Sequence, residues 1–480
     1  MLGPGTASAA SRYDAVVVGS GPNGLAAAIT LARKGASVLV VEERDTPGGG
    51  LRTRELTLPG FLHDVCAAVH PLAQASPFLQ ELSLSGADLE WIHPDVPVVH
   101  PLDRDRAVVQ ERSWEATAEN LGADQVAYRD LIGGLVDQAR DLFGDLLRPL
   151  RIPRHPLTLA RFGTLAVKSA RTLLQGRFRT VAARALFAGH AAHSVMPLES
   201  PGTAGYGLLL SLSAHAVGWP IAKGGSGKIA EALASRFRSL GGEIVCGWRV
   251  DTVEELPRAK AYLFDVAPRA LARLCRSRFP LRYTAALERF QHGPGVCKVD
   301  WALSEPIPWA NPECRRSATV HLGGAFHQIA ESERQVARGR HPAAPYVILC
   351  QPSLFDATRA PAGRHTAWAY CHVPNQSTMD MRERIEAQIE LLAPGFRDCI
   401  LEAHSMTALE MERYNPNYVG GDIAGGRQTL WQQFARPVAR FNPYTTPARD
   451  IFLCSASTPP GGGVHGMCGF YAARAAMRVM

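Results

Sequence analysis

Near its start the chain reads Gly19-Ser20-Gly21-Pro22-Asn23-Gly24, and eighteen residues beyond Gly24 an acid, Glu42, closes an apolar run. Glycines at this spacing suit one kind of chemistry: they let backbone N–H groups approach a diphosphate at a helix N-terminus. Gly19 permits the tight turn, Gly21 the close approach, and Gly24 the packing of the next helix on its strand. A carboxylate at Glu42 can take ribose hydroxyls and would repel a 2′-phosphate. Further on, Arg44 leads into Gly48-Gly49-Gly50-Leu51-Arg52-Thr53. Gly49 and Gly50 offer backbone surface to a diphosphate, with Arg52 as counter-charge and Thr53 beside it. These residues are candidates for holding a dinucleotide, and the fingerprint alone does not separate FAD from NAD.

A second glycine segment lies at the other end. Ile451-Phe452-Leu453-Cys454 reads as a buried strand, followed by Thr458-Pro459-Pro460-Gly461-Gly462-Gly463-Val464-His465-Gly466-Met467 and a helix-like run from Phe470 to Met477. A glycine-lined turn from strand to helix lets the backbone approach a flat ring. The positive helix end then favours negative charge developing on a reduced flavin.

The elements that must position these residues are legible nearby. Asp14-Ala15-Val16-Val17-Val18 has the pattern of a buried parallel strand, Leu25 to Ala32 that of an Ala-rich helix capped near Gly35, and Ser37 to Val41 that of a second strand. Strand, glycine loop, helix, strand and acid together form a complete βαβ unit. Lys228 to Leu240 reads as a helix, and Glu243 to Val250 and Ala261 to Asp265 as strands of the same sheet. Val296 to Leu303, Thr319 to Leu322, Tyr346 to Cys350 and Thr366 to Val373 read as strands of an antiparallel sheet walling a pocket. Gly224-Gly225-Ser226-Gly227 reads as a helix-entry loop rather than a second nucleotide site. No second glycine fingerprint between strand and helix appears, so a separate NAD(P)H domain is not expected.

Bulk properties narrow the class. With 480 residues, 46% of them hydrophobic and 20% charged, the chain suits two interleaved globular domains. The net charge of +7 is not gathered into an arm, so no nucleic-acid partner is expected. Ten scattered cysteines without a CxxC pair argue against a zinc site, a dithiol mechanism or any other metal centre, and favour a reduced, cytoplasmic protein. Met1 to Ser11 reads as a disordered tail, and no apolar run is long enough to span a bilayer. Between Leu146 and Leu198 there is no Asp or Glu, while arginines alternate with leucines and phenylalanines. Residues 146–186 are therefore a candidate for peripheral membrane contact, against a basic outer face or an oligomer contact. Oligomeric state is left open.

The two end motifs, with Pro59-Gly60-Phe61-x-x-Asp64, resemble the phytoene desaturase-like FAD-dependent oxidoreductases, and most closely the bacterial branch related to pyridine nucleotide-disulfide oxidoreductase domain-containing protein 2. Gly218-Trp219-Pro220, Lys298-Val299-Asp300 and Gly420-Gly421-Asp422-Ile423 extend the resemblance along the chain. It implies an α/β fold in which a Rossmann-like FAD-binding domain (12–66, 221–283 and 435–480) interleaves with an α+β substrate domain of antiparallel sheet and helices (67–220 and 284–434). It also implies noncovalent FAD, adenine contact at the Val250 backbone, and isoalloxazine contact at Gly466 and Met467. Gly462, Gly463 and Val464 belong to the same motif. His465 stands where the carotenoid enzymes usually have proline.

In such an enzyme the flavin accepts hydride and the protein positions the substrate or supplies a base. His465, inside the flavin-side turn, is the first candidate base and His70 the second; His215, His321 and His372 are further candidates. Tyr414, Asn417 and Tyr418 are candidate pocket residues. The leading expectation is desaturation of a hydrophobic, isoprenoid-like substrate with oxygen or a quinone as final acceptor. The alternatives are a flavin amine oxidase, marked by an aromatic cage from Trp219, Trp368 or Tyr418, a flavin-dependent isomerase, and a non-catalytic flavoprotein acting through partners.

Overall fold

The computed structural model describes residues 12–84 and 89–480, so the leader to Ser11 lies outside the described residues. Five parallel strands form one sheet in the order Ile451–Leu453, Ala259–Phe264, Tyr13–Val18, Val38–Val41, Glu243–Val245. The first strand of the chain takes the centre, aligning Val16 with Tyr262 on one side and Leu39 on the other. Such strands are covered on both faces, which is why they read as unbroken apolar runs. All five lie within 12–66, 221–283 and 435–480.

The helix Pro22–Ala32 follows the glycine loop and is buried along nearly its whole length. Across it lies the last helix, Met467–Ala476, close enough that a Cβ at Gly469 would overlap the Asn23 carbonyl. A Cβ at Gly466 would sit 2.9 Å from that of Ala26. The two ends of the chain are thus joined through small residues.

A seven-stranded sheet runs Ile400–Met406, Gly295–Leu303, His365–Val373, Val347–Cys350, Thr319–Leu322, Val98–Pro101, Ala107–Gln110. Its pairs are antiparallel except that between Thr319–Leu322 and Val98–Pro101. The strands at 98–110 and 400–406 were not anticipated from the sequence. Helices between 139 and 216 form a layer, in which Gly207 makes room for the Phe187 ring.

One expectation changes. The strand from Glu243 stops at Val245, because Gly247 and Trp248 donate their N–H groups to the Arg44 and Glu42 carbonyls at 2.8 and 2.9 Å. Within the basic stretch 146–186, Phe162, Leu173, Leu174 and Phe178 are buried, and the large apolar residues left most exposed are Leu150, Ile152 and Leu157. Among the described residues no helix is long and apolar enough to cross a membrane.

A buried polar knot ties the strand pair Thr53–Glu55 and Leu62–Asp64 to the loops at 224–226 and 356–359. Asp64 accepts from Thr53 Oγ1 and the Ser226 N–H, each at 2.7 Å, and from Arg359 Nη2 at 2.9 Å. Arg359 Nε donates to Asp356, which also accepts from the Gly224 N–H at 2.7 Å. Gly224-Gly225-Ser226-Gly227 is therefore a helix entry held by two carboxylates. Burial alone would raise the Asp64 carboxyl, yet Arg359 and the hydrogen bonds leave it below its ordinary range. Removing one side of such a pair strands a buried charge. Asp64→Asn is expected to lower stability by about 3–5 kcal/mol in urea denaturation; a loss under about 1 kcal/mol would show that the knot is not a structural joint.

Candidate functional site

One cavity of about 480 Å³ opens at the carboxyl ends of the parallel strands, where α/β sheets place their ligands. At one end it is lined by Gly19 to Asn23, Glu42, Arg44, Gly49, Gly50 and Arg52. Trp248, Arg249 and Val250 line its side, and Gly463 and Val464 bring the C-terminal motif to it. The far end is walled by Leu210, Trp219, Ile348, Trp368 and Tyr370, with His70 and His193.

Glu42 organises the near end. Its carboxylate accepts from the Ser20 N–H (2.9 Å), Ser20 Oγ (2.5 Å), the Arg44 N–H (3.0 Å) and Arg52 Nη2 (3.2 Å). Arg52 also donates to the Gly49 and Thr46 carbonyls at 2.9 and 2.8 Å, which fixes the second glycine turn. That turn abuts the first, since a Cβ at Gly49 would lie 2.8 Å from Gly21 Cα. Arg44 donates to the carbonyls of Arg413 and Tyr414 and stacks over the Tyr414 ring. The helix Pro22–Ala32 begins with Gly21 as N-cap and no acid in its first turn, which leaves its positive end toward the cavity.

Three residues that the sequence reading passed over join the site. Asp265, just past the strand Ala259–Phe264, accepts from the Gly24 N–H at 2.8 Å. Burial and the Glu42 charge push its carboxyl up to about 7. Its signal was an acid at the carboxyl end of a third parallel strand. His193, from a helix end rich in small residues, lies 3.0 Å from His321, nitrogen to nitrogen. Arg436 is fully buried, with Nε, Nη1 and Nη2 unpartnered among the described residues, and wedged against Gly426 and Gly461. It places a fixed cation behind the C-terminal glycine turn.

Several expected site residues are placed elsewhere. Thr53 belongs to the Asp64 knot and also accepts from the Gly227 N–H at 2.9 Å. Gly24 packs helix on strand. Gly462 rests on the Ala424 carbonyl, and Gly466 and Met467 face the helix crossing and the core rather than the cavity lining. His465 is also outside the lining. Its Nδ1 accepts from the Met467 N–H at 3.0 Å and its Nε2 donates to the Gly461 carbonyl at 3.2 Å. With both nitrogens engaged and burial lowering it to about 4, it clasps the turn and is not placed as a base. His215, His321 and His372 are buried away from the lining.

His70 does line the cavity. Ser226 donates its hydroxyl to the Ala67 carbonyl, so its oxygen accepts from His70 Nε2 at 2.9 Å. That leaves His70 Nδ1 a bare lone pair, buried and without a partner among the described residues. Tyr414, Asn417 and Tyr418 line the cavity too.

Comparison with known proteins agrees with this geometry. Residues 17–82 match the NAD(P)-binding Rossmann-like domain model. The chain is 24% identical to pyridine nucleotide-disulfide oxidoreductase domain-containing protein 2 of Mus musculus, over 97% of this chain and 94% of that protein. It is 22% identical to the lycopene-forming phytoene desaturase of Pantoea ananas, over 94% and 96%. Putrescine oxidase with bound putrescine superimposes with a TM-score of 0.61 at 17% identity, covering 98% and 99%. The resemblance read from the terminal motifs thus recurs over nearly the whole chain. The expected α/β fold with a Rossmann-like domain is borne out.

The buried histidines carry a pH signature. Burial lowers His63 and His193 to about 3 and His70, His100, His190, His215 and His465 to about 4. The unfolded chain binds these protons near 6.5, so between 6.5 and 4 it holds more protons than the folded one. Stability therefore falls with pH across that window, by up to about 1.4 kcal/mol per unit for each histidine. Asp265 works the other way: its contribution is present at low pH and lost as pH rises through about 7. One carboxyl does not offset several imidazoles. The urea midpoint is expected to drop steeply between pH 6.5 and 4.5, whereas a flat profile would mean that these histidines are charged in the folded state.

Proposed function

We propose that the chain dehydrogenates an uncharged, hydrophobic substrate. It is an oxidoreductase of the FAD-dependent type, and FAD when bound supplies the hydride acceptor. The residues present suit that cofactor. Two glycine turns form a cradle that side chains would fill, a carboxylate stands ready for ribose hydroxyls, and Asn23 Oδ1 and Arg52 Nε are buried polar atoms without partners among the described residues. Gly19 to Asn23 with Glu42, Gly49, Gly50 and Arg52 would hold the dinucleotide, the Val250 backbone the adenine side, and Gly463 and Val464 the ring side. Noncovalent attachment is proposed, with oxygen or a quinone as the class of electron acceptor.

The observation that carries the substrate class is the composition of the far end of the cavity. The carboxylates in the lining are Glu42, Glu43 and Asp265, all on the dinucleotide side. Beyond them the walls are aliphatic and aromatic, which suits a hydrocarbon-like body and leaves an ammonium group without a counter-charge. Of the cage residues that would mark an amine oxidase, Trp219, Trp368 and Tyr418 all border the cavity, and Trp368 is stacked on Tyr370 at 5.8 Å and 12°. Within this reading His70, whose side chain borders the cavity, is the candidate proton acceptor, and burial keeps it neutral down to about pH 4. His193 offers a hydrogen bond to a polar atom of the substrate.

The purified protein is expected to show flavin absorbance that passes a filter after denaturation. Glu42→Ala should weaken FAD binding by on the order of 10–100-fold, read by fluorescence quenching. A wild-type protein that is colourless and fails to bind added FAD would overturn the proposal. In anaerobic bleaching with lipophilic substrates, His70→Phe should keep its FAD but react at least about 100-fold more slowly. An unchanged rate would remove His70 from the chemistry.

A further inference from the structure

Three stretches of the chain contain no Asp or Glu: Leu146 to Leu198, Ile423 to Arg449, and Ile451 to Met480. They are remote in sequence, and the fold sets them side by side. The Arg151 guanidinium lies 6.0 Å from the centre of the Tyr471 ring. Arg151, Asn442, Tyr471, Arg474 and Arg478 line one shallow cleft. Leu430, at the start of the helix Leu430–Ala435, seats over Gly202, whose N–H reaches the Val167 and Lys168 carbonyls. Arg151, Arg440 and Arg474 lie over aromatic rings rather than against carboxylates.

The same stretches expose hydrocarbon. Ile152 is 90% exposed, Leu157 85% and Trp431 73%, and Phe434, Phe441 and Val479 are exposed as well. Exposed apolar side chains on the same stretches as arginines that have no carboxylate partner among the described residues mark a surface that meets something.

We propose that this face docks on a bilayer containing anionic lipid, the arginines meeting the headgroups and the apolar side chains entering between them. A nucleic acid would satisfy the arginines but leave Ile152, Leu157 and Val479 facing water. A second copy of the chain, paired face to face, would set arginine against arginine. Charge and apolar exposure together fit only the lipid surface.

The test is co-sedimentation of the full chain with vesicles of phosphatidylcholine alone and of phosphatidylcholine mixed with phosphatidylglycerol. Binding is expected to the mixed vesicles and to weaken with salt. Reversing three charges, as Arg151→Glu, Arg474→Glu and Arg478→Glu together, should weaken it by roughly 100-fold. The triple variant Trp431→Ser, Phe434→Ser and Phe441→Ser should lose binding while its circular dichroism and urea midpoint stay as in the wild type. The proposal is overturned if neither vesicle is bound, or if both variants bind as tightly as the wild type. It is also overturned if sedimentation velocity finds a dimer that the serine variant dissolves, or if duplex DNA binds more tightly than the mixed vesicles.

Discussion

The crossing of the first and last helices is the contact on which the site depends. Gly469 meets the Asn23 carbonyl there, and Gly466 meets the Ala26 methyl and the edge of the Phe78 ring. Only at that separation do the two glycine turns, one beginning the chain's first helix and one preceding its last, border the same cavity. The constraint is steric and unforgiving: a single added Cβ must displace backbone, which a close-packed interior resists. It also explains why the sheet is assembled from three separated segments. The strand Ile451–Leu453 has to reach the edge beside Ala259–Phe264 before the final turn can come back across Pro22–Ala32.

Charge is distributed around that crossing in a consistent way. Glu42 is buried but has four donors, and Asp64 is buried with Arg359 and two further donors; both are satisfied within the protein. Arg436 differs. A guanidinium at zero exposure with three nitrogens unpartnered among the described residues is expensive by itself, because a buried donor without an acceptor forfeits its hydration. Burial lowers its proton affinity for the same reason. Its position behind Gly461, in the turn that reaches the cavity at Gly463, makes it intelligible as a fixed positive field where a bound ring gathers negative charge.

Much of this was legible in the sequence because it is local. The βαβ unit is written in consecutive residues from Asp14 to Glu42, and its strand, loop, helix and acid fall where they were expected. What was not legible is which side of a glycine turn faces a ligand. His465, Gly466 and Met467 follow Val464 directly, yet one turn of backbone carries them from the cavity into the helix crossing. Thr53, next to Arg52, is likewise diverted by Asp64, a partner eleven residues away whose motif marks the resemblance and not the contact. Asp265 and His193 were missed for the converse reason. Each is a single polar residue ending an apolar element, and only the fold shows that both ends open into one space.

The substrate end follows from how the seven-stranded sheet was built. Trp368 and Tyr370 alternate on His365–Val373 and so share a face, while Ile348 and Cys350 do the same on the neighbouring strand and Thr319 on the next. Period two thus places a continuous apolar wall toward the cavity. No side chain of that wall carries a formal charge. A site assembled in this way selects by shape and by exclusion of water, and has little with which to recognise an ion. Polar capacity beside the wall rests with His70 and His193, and burial holds both neutral at physiological pH. The proposed chemistry, removal of hydrogen from an uncharged carbon framework, rests on this contrast between an uncharged wall and a charged dinucleotide end.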